Sequence, residues 1–98
     1  MSLIDLVKPI RLSKHALDYA KKRGFSVAEV EETIRTSSWS AAELGRLHCR
    51  KDFAFGKEWN GRFYTTKQVR PVFVEEAAVP QAKFTEQIVV IPVYTYYF

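Results

Sequence analysis

The sequence predicts one α+β domain over residues 1–98, an N-terminal αα-hairpin packed on a twisted antiparallel β-sheet of three to four strands. Three observations carry the prediction. Two short amphipathic segments with helix-capping residues adjoin each other between Ser13 and Thr36. An Asn60-Gly61 pair separates two runs of β-forming residues. From Ile88 to Phe98 nearly every residue is a β-former. Helices first and strands after is the order of an α+β domain with the hairpin across one sheet face, and a half-open barrel satisfies the same order.

Ser13 is the expected N-cap of the first helix, with Leu12 and Leu17 placed as a hydrophobic staple. That helix is predicted to run to Arg23 and to stop at Gly24, which takes a left-handed conformation at no steric cost. Ala16, Leu17, Tyr19 and Ala20 share a broad face, with Arg23 along it and His15 bordering it beside Tyr19. The second helix begins with the capping box Ser26–Glu29, and Phe25 can staple onto Val30. Val27, Val30 and Ile34 form its apolar stripe, with Glu29, Glu32 and Thr36 opposite, and Glu31 and Arg35 are spaced for a weak surface pair. So short a joint folds the helices back on each other.

Residues 37–45 read as a loop. Leu47 to Phe55 then alternates loosely, with Leu47, Cys49, Phe53 and Phe55 on one side and His48, Arg50 and Asp52 on the other. After the Asn60-Gly61 turn a long strand segment reaches Val74, interrupted at Pro71. Glu75 to Phe84 reads as a polar connection before the last strand. Pro71 and Pro92 cannot donate to a ladder, so each marks an edge, a bulge or a break.

Composition sets the outer limits. The apolar fraction of 47% and charged fraction of 27% belong to a folded globular chain. No apolar run approaches the roughly 20 residues that cross a bilayer, and no secretory signal is expected at the N-terminus. A single cysteine, Cys49, rules out an internal disulfide and fits a reducing cytoplasm. With only His15 and His48 beside it, no metal site and no cofactor are expected. The net charge is +4. Residues 8–23 hold six cations against Asp18, and residues 46–70 hold seven against Asp52 and Glu58. Such segregation points to a positive face for an acidic partner, RNA or an acidic protein; solvated lysines are the plainer reading.

No phosphate-cradling glycine loop, nucleophile elbow, nucleotide fingerprint or DNA-binding motif occurs. What remains is a dispersed set: His15, Arg23, His48, Arg50, Lys67, Arg70 and the C-terminal tyrosines.

The combination of Ser-Lys-His15-Ala16 and Arg23-Gly24-Phe25-Ser26 with CRKDFAF, WNGRFY, KQVRPVFVEE and VYTYYF resembles a bacterial family of domains of unknown function. The resemblance covers residues 10–98, and that family is grouped with RelE- and BrnT-like toxins. It implies a RelE-like toxin fold, a helical hairpin on an antiparallel sheet, and a metal-independent endoribonuclease that cleaves mRNA, alone or at the ribosome, with an acidic antitoxin as partner. Pro92 departs from the family pattern, which leads one to expect a strand-compatible residue such as Thr, and a bulged last strand follows.

Under that resemblance, cleavage by the 2′-hydroxyl needs a base, an acid and a cation at the phosphorane. His15 is the candidate base or acid, because imidazole titrates near neutrality; the alternative is packing beside Tyr19. Arg23 and Lys67 are the candidate phosphate stabilisers, and each has a structural alternative, a salt bridge for Arg23 and an edge position for Lys67. Arg50 and Arg70 are candidates for RNA backbone phosphates. Tyr94 and Tyr96, with Tyr97, offer stacking surface or an acid hydroxyl, or else core. Trp39 and Trp59 either contact a partner or cover the end of the core. Beside the nuclease stand a non-catalytic domain binding RNA or an acidic protein through its basic face, and an oligomer pairing through an exposed sheet edge.

Overall fold

The computed structural model describes residues 8–77 and 86–98. The chain is α+β, but its sheet has six strands and is mixed, which corrects the expected three to four antiparallel ones. In order come β1 (Ile10–Leu12), α1 (Lys14–Asp18), α2 (Ala20–Arg23), α3 (Val27–Thr36), β2 (Ser40–Ala41), β3 (Leu47–His48), β4 (Lys51–Trp59), β5 (Arg62–Ala77) and β6 (Glu86–Tyr97). The sheet order is β1-β6-β5-β3-β2, and β4 also pairs with β5.

The mixed character comes from β1, which lies parallel to β6 with Leu12 opposite Val90. Leu12, the expected staple partner of Leu17, thus has a place in the sheet. It is buried in the sheet core, while Leu17 stands half exposed. The predicted loop 37–45 contains β2, held against β3 by the pairs Ser40–His48 and Ala41–Leu47. Most of the predicted connection Glu75–Phe84 lies outside the described residues, but its first part, Glu75 to Ala77, continues β5.

The local signals operate as their chemistry dictates. Asn60 and Gly61 take φ of 51° and 83° and join Trp59 to Arg62, so the turn has positive φ at both central positions. Ser26 and Glu29 form the capping box, with bonds of 3.1 and 2.9 Å. The Ser13 hydroxyl accepts from the Ala16 amide at 3.1 Å. The first helix is broken at Tyr19 into α1 and α2, and α2 ends at Gly24 with φ of 77°. Beyond Pro71, Ile91 and Pro92 together face Val72, a β-bulge in β6.

All three helices cover one sheet face. Ala16, Phe25, Val30 and Ile34 meet Val69, Phe73, Ile88, Val90 and Val93 in a single core. α1 and α2 also cover the edge of β6 that runs past β1. The Ser13 amide donates to the Val90 carbonyl (2.8 Å), its hydroxyl to the Ile91 carbonyl (3.0 Å), and Arg23 Nη1 to the Val93 carbonyl (2.8 Å). Carbonyls that would otherwise stand bare at an edge are thus satisfied. Trp39 donates to the Ile34 carbonyl at 2.8 Å and meets Phe73 edge-on, so it belongs to the core. None of these three helices lies on the other face of the sheet.

Candidate nucleic-acid interface

Strand alternation sends Lys67, Val69, Pro71 and Phe73 of β5 toward the helices and Gln68, Arg70 and Val72 to the open face. On β6, Val93, Thr95 and Tyr97 turn to the helices while Tyr94 and Tyr96 turn outward, 38% and 44% exposed. Tyr94 is in register with Arg70, and Tyr96 with Gln68.

A continuous row of aromatic rings and cations crosses this face. The rings of His15 and Tyr19 lie 4.7 Å apart. The Arg23 guanidinium sits 4.5 Å from the Tyr19 ring centre and 5.3 Å from that of Tyr94. Arg70 approaches the same Tyr94 ring at 5.5 Å and donates from Nε to His48 Nδ1 at 3.0 Å. The row thus runs His15–Tyr19–Arg23–Tyr94–Arg70–His48, from α1 and α2 across β6 and β5 to β3. Its helical part follows from the four-residue spacing of positions 15, 19 and 23, which stacks side chains on one face. A guanidinium held over a ring is attracted by the ring's negative face and keeps its own edge for hydrogen bonds.

Charge pairing sets these arginines apart from several other cations. Lys8, Arg11, Lys14, Lys51 and Lys67 each meet a carboxylate: Glu75, Glu76, Asp18, Glu32 and Glu29 respectively. Arg23, Arg46, Arg50 and Arg70 have no carboxylate partner among the described residues, and neither do Lys21, Lys22, Lys57 and Arg62. Two carboxylates stand near the row: Asp52, which accepts from Gln68 at 2.8 Å, and Glu43, which borders the groove that His48, Arg70 and Tyr94 share. Uncompensated positive charge is therefore present on the open face, in Arg23 and Arg70, as it is on α2 and at the β4–β5 hairpin.

Next to the row, a groove of about 500 Å³ opens where His48, Arg70 and Tyr94 meet Arg46 and the turn leading into β3. A second groove, of about 330 Å³, lies on the far side of His48 and is bordered by Arg50, Cys49 and Ser40.

The structure divides the residues predicted as a catalytic set. His15 and Arg23 share the Tyr19 ring. Lys67 is on the helix-covered side, 8% exposed, where its ammonium donates to the Gly24 carbonyl at 2.8 Å and to the Glu29 carboxylate. Those bonds tie β5 to the α2–α3 corner and leave Lys67 no route to the open face. Of the predicted RNA contacts, Arg70, Tyr94 and Tyr96 lie together on the open face, and Arg50 is exposed beside the second groove. Tyr97 has a structural place: its hydroxyl donates to the Arg23 carbonyl at 2.8 Å and its ring stacks on Trp59 at 5.0 Å. Burial above all pushes the Tyr97 phenol up from its ordinary range; the nearby Glu29 charge adds to this and the bond with Thr95 opposes it.

Tyr19 and His48 join the row without having been assigned a binding role from sequence. The signals were present, in the spacing 15-19-23 and in the placement of His48 opposite Cys49 across the strand. Among the described residues, no group of three or more His, Cys, Asp or Glu could hold a metal ion, and no helix is long and apolar enough to cross a membrane. Comparison with protein-family models, curated proteins and solved structures finds no match, so the resemblance to toxin-related domains gains no support there.

Proposed function

We propose that the protein binds single-stranded RNA across the open face of its sheet, without cleaving it. The observation that carries this reading is the alternation of rings and unpaired cations in the row His15–Tyr19–Arg23–Tyr94–Arg70–His48. Unpaired bases stack on exposed rings whatever their identity, while arginines track the phosphates. Tyr94 and Tyr96 stand two residues apart on one strand, so both present rings to the same side. An acidic protein segment would use the arginines but would leave the exposed tyrosines without purpose.

The Gln68–Asp52 pair favours RNA over DNA. A carboxylate repels phosphate but accepts from a hydroxyl, and the 2′-hydroxyl is the donor that DNA lacks. The placement of the candidate groups supports binding without cleavage. A general base and a general acid must flank a single phosphate. His15 and His48 stand at opposite ends of the row with four side chains between them, and Lys67 is bonded beneath the helices.

The deciding experiment measures fluorescence anisotropy of a labelled RNA of roughly ten nucleotides, with DNA of the same sequence alongside, over a range of salt. RNA binding that weakens steeply with salt, exceeds DNA binding and drops in Tyr94→Ala and Arg70→Ala is the expected result, with the RNA intact on a denaturing gel. No binding at low salt, or affinity unmoved by both substitutions, rejects the proposal.

A further inference from the structure

We infer that the groove at the His48 end of the row is a pocket for a phosphomonoester, through which the protein recognises a phosphorylated end of the RNA strand. The inference rests on the open-face reading for its ligand but has its own geometry. Across the face from β6 to β5 to β3, the turn after β2 lines the far side of the groove with Ala42, Glu43 and Leu44, the last 84% exposed. A strand laid along the row in this direction leads into the groove.

The donors gathered there suit a terminal phosphate. Arg70 commits Nε to His48, so its two Nη groups have no hydrogen-bond partner among the described residues. Because His48 accepts at Nδ1, its own N–H is on Nε2. Arg46 borders the groove from the opposite side, and its guanidinium has no carboxylate partner among the described residues. Two guanidinium forks and an imidazole N–H suit a group with three terminal oxygens; an internal phosphodiester exposes only two. Val72 and Pro92, both buried, form an apolar floor that holds the donors away from bulk water, and Tyr94 at the rim leads into the stacking row. At about 500 Å³ the groove has room for a nucleotide. Glu43 also borders it. Its carboxylate opposes the anion and lowers the positive charge of the site, so it limits affinity.

The test compares one RNA sequence carrying a 5′-phosphate, a 3′-phosphate or two hydroxyl ends, with a nucleoside monophosphate as a separate ligand, by titration calorimetry. One phosphorylated strand is expected to bind about tenfold tighter than the unphosphorylated strand, and the preferred end fixes the polarity along the sheet. Arg46→Ala, which removes a groove residue outside the row, should abolish this gain by weakening the phosphorylated strand far more than the unphosphorylated one. Glu43→Gln should enlarge the gain. Equal affinity for all three strands overturns the inference while the open-face reading stands. Equal affinity for the mononucleotide and the phosphorylated strand would assign the groove to a free phosphorylated metabolite and overturn RNA-end recognition. Absence of binding by every strand rejects the open-face reading itself, and this inference with it.

Discussion

Lys67 and Glu29 meet through both carboxylate oxygens, at 2.9 and 2.8 Å from the ammonium, under the corner between α2 and α3. One of these oxygens also accepts the Ser26 amide at 2.9 Å, so a single carboxylate caps α3 and neutralises a nearly buried cation of β5. Removing one partner leaves the other charge in a poorly solvated place. Lys67→Met keeps the aliphatic stem and deletes the charge, and it should cost about 2–3 kcal/mol in urea unfolding, at or below the lower end for a buried pair because Glu29 keeps part of its solvent contact. RNA affinity of the folded variant should be unchanged. A large affinity loss with no stability loss would return Lys67 to the functional set.

Gly24 has two reasons to be glycine. Its φ of 77° is left-handed, and a Cβ there would come within 2.7 Å of the Trp59 ring and would also strike the Tyr97 hydroxyl. Gly61 shares the positive φ, at 83°, but has nothing near its missing Cβ. Gly61→Ala should therefore cost only the backbone term of about 1–2 kcal/mol, whereas Gly24→Ala should add about 1–3 kcal/mol of steric displacement. Thermal unfolding of the two variants side by side measures the difference.

Cys49 is buried in the core with its thiol directed at the Thr33 carbonyl, 3.6 Å away, and burial pushes its pKa up to about 12. In the unfolded chain the thiol ionises at its ordinary value near 9.0. Unfolding therefore releases a proton between those values, and the contribution is intact below pH 9 and lost progressively toward pH 12. Stability should fall there by on the order of 1 kcal/mol per pH unit, and Tyr97, shifted the same way, adds to the slope. Cys49→Ala should flatten the alkaline limb of a stability–pH curve, and native Cys49 should resist alkylation until the protein is unfolded.

Within the open face, Tyr94 should matter more than Tyr96. Both arginines of the row lean on the Tyr94 ring, so its loss removes a stacking surface and frees two guanidinium groups at once. Tyr94→Ala should weaken RNA binding by about 10- to 100-fold and Tyr96→Ala by less. Arg70→Ala should lower the salt slope by about one. Because both tyrosines are exposed, either alanine variant should shift stability by less than about 1 kcal/mol.

How far the fold could be read in advance depended on whether a signal was local. The Asn60-Gly61 turn, the Ser26–Glu29 box and the Gly24 stop operate within four residues, and each formed as its chemistry requires. β1 has three residues, and its partner in β6 lies nearly the whole chain away; a parallel pair has no joining turn to announce it. Leu12, legible locally as a staple residue, also pairs with that distant partner. Glu29 was placed on the far side of its helix, since nothing near position 29 reveals the lysine that comes to meet it from β5. The open-face residues were visible as types, in Arg70, Tyr94 and Tyr96. Their assembly into one row with Tyr19 and His48 required the sheet order, which places β3, β5 and β6 side by side.

The two residues of β6 that face Val72 decide which way the rest of the strand looks. A pleated strand presents alternate side chains to opposite sides, so one additional residue inverts everything after it. Ile91 and Pro92 supply that inversion, and through it Val93, Thr95 and Tyr97 point inward while Tyr94 and Tyr96 point to solvent. Shortening the chain by one residue at this point would exchange the two sets, turning Tyr94 and Tyr96 inward and Tyr97 out. The bulge at Ile91 and Pro92 is thus what turns Tyr94 and Tyr96 to the open side.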